Sequence, residues 1–356
     1  MGEPAGGSSD DDTGVHDIVF RTALVLLAVA VPAWIVLSLG IVFGRLAYDL
    51  RTGDGTPRPL TERDARRLVR RAARRRTRTE WGKWRRGAAL ARLARARHPS
   101  AARLLRPALA DPDPEVAAAA VRALGDLGDD WAVDLLIAAL RERSGTRSRI
   151  AAELERLAPL PGPRLPALLR DWNPEVRFWG ATLLAQYPDL AESSLVALTW
   201  DPDPNVRAAA VETLGTRDGD GAATAALALL DDPAWFVRVH AARAAGHLAS
   251  AEAAPMICRL LADERWWVRT AAKDALRGMG REAVPALLSL LTHEDPFARN
   301  GAAEVLQDVG FVDSLLAEGS SRALLERIYE AGGERMRAAA ERRNADRPDA
   351  GQVRAA

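Results

Sequence analysis

The residues best suited to chemistry in this chain are few and scattered. Histidines stand at His16, His98, His240, His247 and His293, and the single cysteine is Cys258. Two histidines share an ion on a helix when they are four apart, because that spacing puts both rings on one face. None of the five has that spacing, and His240 and His247 are two turns apart, too far for a shared ion. One cysteine forms no internal disulfide and no zinc cluster, and its neighbours Pro255, Met256, Ile257, Leu260 and Leu261 mark a buried helix position. The chain has no glycine-rich phosphate loop, no G-x-S-x-G elbow and no Cys–His pair. The expectation is no metal, no cofactor and no enzyme, although an active site assembled from distant residues would leave no such motif.

Binding is better represented than catalysis. Phe236, Trp267 and Phe297 recur about 30 residues apart, and Trp235 and Trp266 add a second ring beside two of them. On stacked helices roughly 8 to 10 Å apart these five rings would form one continuous stripe for a protein partner, with His240, Arg243, Lys273 and Asn300 as a polar rim. The alternative is that the rings fold over the turns and seal the core between repeats. Phe178 and Trp179 carry the same ambiguity. Charged pairs recur too, as Asp171 with Arg177, Asp201 with Arg207, Asp232 with Arg238 and Asp263 with Arg269. They read either as an arginine row for an acidic partner or as a lock that fixes repeat register by charge-assisted hydrogen bonds; their recurrence with every repeat favours the lock.

These residues sit on a period. A Val-Arg step followed by small apolar residues and a leucine is anchored at Val116, Thr146, Val176, Val206, Val237, Val268 and Ala298, with steps of 30, 30, 30, 31, 31 and 30. Such a period denotes a solenoid. Four residues after each anchor come Ala120, Ile150, Gly180, Ala210, Ala241, Ala272 and Ala302; eight after come Leu124, Leu154, Leu184, Leu214, Ala245, Leu276 and Leu306. That is one helical face with a small residue at its centre, where two helices approach closely. Asp113-Pro114, Asn173-Pro174, Asp203-Pro204 and Asp295-Pro296 spell helix starts, a capping side chain before a proline in the first turn. First helices are expected over 131–141, 164–170, 222–230, 254–261 and 283–291, so each repeat is two antiparallel helices. With strand signals scarce, the fold class is all-α, an α-solenoid of antiparallel helix pairs preceded by one transmembrane helix.

At these residues the chain resembles the HEAT-repeat superfamily, in particular the short HEAT-like repeats of the phycocyanobilin lyase type. The stretches Asp111-Pro-Asp-Pro-Glu-Val116 and Asp201-Pro-Asp-Pro-Asn-Val-Arg-Ala-Ala-Ala-Val-Glu-Thr-Leu-Gly215 carry the resemblance, which covers about residues 81 to 310. It implies a scaffold more than an activity. Likeness to bilin lyases or to HEAT-like DNA glycosylases would imply chromophore attachment or base excision, on a protein or nucleic-acid substrate. Thr146 and Arg141 depart from the pattern in the second repeat, and Ala245 replaces its leucine.

The front of the chain is different. Residues 22 to 44 carry no charge and are rich in Leu, Val, Ala and Ile; at ~1.5 Å per residue they can cross a ~30 Å hydrocarbon core as a helix. The acidic residues before the run and the lack of an A-x-A site argue against a cleaved signal peptide. Residues 51 to 98 hold 17 Lys/Arg against 4 Asp/Glu, which places the C-terminal side in the cytoplasm by the positive-inside rule. Gly40 and Gly44 form a GxxxG pair, a possible site of weak self-association. Leu60 to Arg97 reads as helix, capped by Thr61. Its Arg66, Arg67, Arg70, Arg71, Arg74, Arg75, Arg76 and Arg78 would lie on anionic lipid, each worth about 1 kcal/mol. Trp81 and Trp84 would dip into headgroups or cover the end of the stack. No nucleic acid is expected, because residues 99 to 356, with 30 basic and 38 acidic residues, offer no extended phosphate groove.

The expected division is an acidic disordered N-terminus (1–17), a transmembrane helix (18–47), a basic juxtamembrane segment (48–80), the HEAT-like solenoid (81–310), C-terminal capping helices (311–343) and a disordered tail (344–356). The Ala, Arg and Pro bias points to a GC-rich bacterium and its cytoplasmic membrane, with the N-terminus outside. The expected function is a membrane-anchored, non-enzymatic scaffold or adaptor that binds a protein partner, such as a membrane-bound enzyme.

Overall fold

The computed structural model describes residues 60–74, 79–142, 147–158, 164–217, 219–248, 251–319 and 321–333, together with 336 and 338. The apolar run at 22–44, Arg75, Arg76, Arg78, Thr146 and the tail from 344 lie outside the described residues. The chain divides into two compact units between Arg66 and Arg67, and the helical array belongs to the second, Arg67–Ala356. Every regular element among the described residues is helical, and no described helix is long and apolar enough to cross a membrane.

The second helices of the repeats are α2 (Glu80–Arg95), α4 (Pro114–Leu127), α6 (Arg147–Arg156), α7 (Pro174–Leu183), α9 (Pro204–Leu214), α11 (Trp235–Leu248), α13 (Trp266–Met279) and α15 (Pro296–Asp308). Before them stands α1 (Glu62–Ala72). Between them lie the first helices: α3 (Ala101–Leu109), α5 (Asp130–Arg141), α8 (Glu192–Leu198), α10 (Asp220–Ala228), α12 (Ala254–Arg259) and α14 (Val284–Ser289). The anchor face is the core. Val206, Ala210 and Leu214 are buried, as are Val237, Ala241 and Ala245, and Val268, Ala272 and Leu276. Burying a Val or Leu side chain is worth about 1.5–3 kcal/mol. A lone hairpin leaves half of that face wet, so stacking supplies the remainder. Close approach is built in as well: a Cβ on Gly246 would lie 2.6 Å from the Cβ of Ala275 in the next repeat, a spacing that only glycine permits.

The helix starts follow the sequence. Asp113, Asn173, Asp203 and Asp295 each accept a backbone N–H of the first turn, with proline as the first helical residue. Two expectations need correction. Leu60 to Arg97 is not one helix: α1 ends at Ala72, and α2 restarts behind a cap at Thr79, whose Oγ accepts the Gly82 N–H at 3.1 Å. Thr61 does cap α1, accepting the Asp64 N–H at 3.2 Å. The first helices are shorter than their apolar pattern, because α10, α12 and α14 tighten into 3-10 turns at Leu229–Asp231, Leu260–Ala262 and Leu290–Thr292. At 166–170, which starts at Pro166, the first helix is 3-10 throughout. Beyond the array, α16 (Phe311–Glu318) closes at Gly319, in the left-handed region at φ 65°, and α17 (Arg322–Ala331) follows.

Candidate functional site

The turn that joins first to second helix is the same object in successive repeats, organised by the residue five before the anchor. Asp232 shows how. Its N–H closes the first helix on the Leu229 carbonyl at 3.2 Å, and its Oδ1 accepts the Ala234 N–H at 2.8 Å. Its own carbonyl accepts Nη1 of Arg238 at 2.8 Å. Its two carboxylate oxygens accept Nε and Nη2 of Arg207, from the preceding repeat, at 2.7 and 2.9 Å. Asp201 repeats the set with Arg177 at 2.7 and 2.8 Å, and Asp263 with Arg238 at 2.8 and 3.0 Å. Each arginine therefore clamps the turn of its own repeat through Nη1 and the carboxylate of the next through its other edge. The pairs are largely buried, and the hydrogen bonds that Arg177 and Arg207 donate to Asp201 and Asp232 push both above the ordinary guanidinium range.

The row is discontinuous near its front. Arg86 reaches Asp111 at 2.5 Å and the Ala72 carbonyl at 3.1 Å, tying the end of α1 to α2. Ala117 occupies the next arginine position. Arg147 turns instead to Glu175, while Arg141 lies 3.6 Å from Asp171.

The expected aromatic residues lie along this same edge, although not as one stripe. Trp235 and Phe236 meet edge-on at 5.9 Å between centroids, and Trp266 and Trp267 at 4.6 Å. Among the described residues no ring pair joins one repeat to the next. The rings differ in burial: Phe236 packs onto the core, whereas Trp266, Trp267 and Phe297 are 55%, 60% and 57% exposed. Phe178 and Trp179, edge-on at 5.0 Å, are half-buried. Of the proposed rim, Arg243 and Asn300 are exposed. His240 lies 3.5 Å from Glu212 of the preceding repeat, and Lys273 binds Glu304 of the next at 2.9 Å. Both therefore also serve the contacts between repeats. Burial lowers the His240 pKa, with Glu212 opposing and Arg243 reinforcing the shift.

Two rings that periodicity alone did not reveal complete the edge. Trp172 and Trp200 are 77% and 78% exposed, more than any other large apolar side chain described. They flank Asp171 and Asp201, four and six residues before their anchors, and so fall out of register with Phe236 while sharing its turn. The edge thus carries exposed rings on five consecutive turns. Caps are missing where rings are densest. Ala234, before α11, has no side chain able to cap, and Arg265, before α13, makes no capping bond although its φ of −90° and ψ of 122° match those of the capping Asp203. Losing a cap costs about 0.5–2 kcal/mol.

Elsewhere the described residues show no group of three or more His, Cys, Asp or Glu able to hold a metal ion. Cys258 is buried, which pushes its thiol up to about 12. On α1, Arg66, Arg67 and Arg70 are exposed and Arg71 is half-buried; Arg74, just past its end, is exposed. Trp81 and Trp84 stack at 4.9 Å on exposed α2 surface.

Among solved structures the chain is similar to an engineered protein determined by the Northeast Structural Genomics Consortium, at 19% identity over 78% of this chain and 92% of that one, with a TM-score of 0.37. No curated protein matches. The family model for HEAT repeats matches residues 80–155, 162–238 and 223–307, and these segments span the capped, bridged helix pairs described above. The match is to HEAT repeats in general and does not support the narrower likeness to the phycocyanobilin lyase type. By its period, its helix pairs and this match, the chain belongs to the HEAT-repeat family.

Proposed function

We propose that this protein is a membrane-anchored, non-enzymatic scaffold whose HEAT array lies in the cytoplasm and docks another protein, itself at the membrane, along the aromatic turn edge. HEAT repeats suggest a protein-interaction scaffold. The observation that carries the reading is the edge itself: exposed rings on consecutive turns, densest where helix caps are absent. Isolated surface aromatics are ordinary, but rings repeated along one edge suit a partner that spans several repeats.

The membrane part rests on sequence. The uncharged run at 22–44 has the length and composition of a spanning helix, and the basic segment behind it supports a cytoplasmic array. The exposed arginines of α1 suit anionic lipid headgroups.

Two experiments test the reading. Full-length protein should stay with the membrane pellet through carbonate extraction, and a chain lacking residues 22–44 should be released; release of the intact protein refutes the anchor. In mild detergent the wild type should capture a defined partner that both Trp266→Ala/Trp267→Ala and Trp172→Ala/Trp200→Ala lose. A partner retained by both double variants, with their helical content unchanged, refutes the docking edge.

A further inference from the structure

At the far end of the row, an arginine repeats the geometry of its predecessors without the carboxylate. Arg269 clamps its own turn as they do, donating Nη1 to the carbonyls of Asp263 at 2.8 Å and Glu264 at 3.2 Å. The residue that should offer it a carboxylate, 24 positions on as Asp201 is from Arg177, is His293. His293 keeps one of the aspartate's tasks, since its Nδ1 accepts the Asp295 N–H at 3.0 Å. The other task is vacated, because an imidazole cannot take two parallel N–H donors. Arg269 instead lays its guanidinium over the Phe297 ring, with Cζ 4.4 Å from the centroid. Stacking occupies the face of a guanidinium and leaves its edge of N–H donors available in the plane. One repeat further on, Arg299 makes the same turn clamp, to His293 at 2.6 Å and Glu294 at 2.8 Å. Among the described residues no carboxylate pairs with the fork of either arginine.

We infer that Arg269 and Arg299 form a receptor for acidic side chains of a protein partner, whose Asp or Glu takes the place left by the aspartate missing at His293. The chain itself supplies the template, since three successive arginines with the same clamp each hold a carboxylate through Nε and Nη2. Trp266, Trp267 and Phe297, all exposed around this position, provide apolar contact for the residues flanking the acid. The occupant is an acidic peptide segment with apolar neighbours. A nucleic-acid phosphate would also fit a guanidinium fork, but the exposed Glu264 and Glu294 beside it and the net acidic array repel a long, continuous polyanion more than a short acidic segment with apolar neighbours. The inference rests on the docking edge proposed above and specifies its chemistry.

The test uses the full-length protein in mild detergent and fluorescence anisotropy of a labelled peptide, Leu-Asp-Glu-Asp-Leu-Gly, beside its amide analogue Leu-Asn-Gln-Asn-Leu-Gly. The acidic peptide should bind and the amide should not. Arg269→Gln should weaken binding about tenfold or more, as expected for lost charge-assisted hydrogen bonds. His293→Asp is the discriminating variant. It should fill the fork from within, raising the thermal midpoint while lowering peptide affinity by a similar factor, so the loss cannot be ascribed to misfolding. The inference is overturned by equal binding of both peptides, by no binding of the acidic peptide up to about 1 mM, by unchanged affinity in His293→Asp, or by a single-stranded oligouridylate that outcompetes the peptide. If Trp266→Ala/Trp267→Ala loses the captured partner while Arg269→Gln keeps it, the acidic receptor fails and the docking edge stands. Should both variants keep it, the acidic receptor fails, and the docking edge fails with it if Trp172→Ala/Trp200→Ala keeps it too.

Discussion

Replacing Asp232 with alanine tests whether the Arg–Asp row holds the array together or decorates it. The carboxylate accepts two charge-assisted bonds from Arg207 and a third bond from the Ala234 N–H, and both charged side chains are almost entirely buried. Removing it leaves the Arg207 guanidinium desolvated with only its turn carbonyls, a situation that costs about 3–5 kcal/mol for a buried pair. The exposed pair of Arg66 with Glu62 provides the contrast: breaking it should cost no more than about 1 kcal/mol, because water already screens both charges. Urea unfolding followed by circular dichroism, on the wild type, Asp232→Ala, Arg207→Ala and the double variant, measures the coupling directly. Because repeat arrays unfold locally, hydrogen exchange should place the loss in α9, α10 and α11 and not in α15. A cost below about 1 kcal/mol for Asp232→Ala, or additive single variants, would show that burial of the pair is energetically idle and would remove the lock from the account.

Other predictions concern single residues. Arg265→Asp places a capping carboxylate on a backbone already in the capping conformation and should raise stability by about 0.5–2 kcal/mol, read as a higher midpoint; an unchanged or lower midpoint contradicts the missing cap. His240 is held neutral by burial, so its folded pKa lies below the ordinary value of the unfolded chain. The unfolded state then binds the extra proton first, and stability should fall as pH drops from about 7 towards 5, with His240→Gln flattening that slope. A slope that the substitution leaves intact would place the titration elsewhere. Cys258, with its thiol pushed up to about 12 by burial, should resist iodoacetamide at pH 8 in the folded protein and react once urea unfolds it; rapid labelling of the native chain would contradict its burial.

Much of this architecture is local and was therefore legible in the residues. A proline after Asp113 or Asp203 starts a helix wherever it stands, since the cap and the fixed φ act within one turn. A small residue between two larger ones at four-residue spacing makes a packing face for the same reason. The short first helices were less legible, because the apolar pattern continues through the 3-10 turns at Leu260–Ala262 and Leu290–Thr292 while the hydrogen bonding changes.

The amino-acid sequence alone determined that the chain is a stack of helix pairs, which arginines and aspartates recur in it, and that aromatic residues gather in its later repeats. Tertiary structure decided which of them meet. Arg207 bonds the carboxylate of the next repeat and the backbone of its own, Phe236 turns to the core while Trp267 stays in water, and Trp172 and Trp200 join an edge with which they share no register. Only there does His293 appear as a missing carboxylate opposite Arg269. The physical reason is range: helix geometry acts over three or four residues, but a bridge between repeats closes over 24 or 25, and its partners depend on how one hairpin lies upon the next.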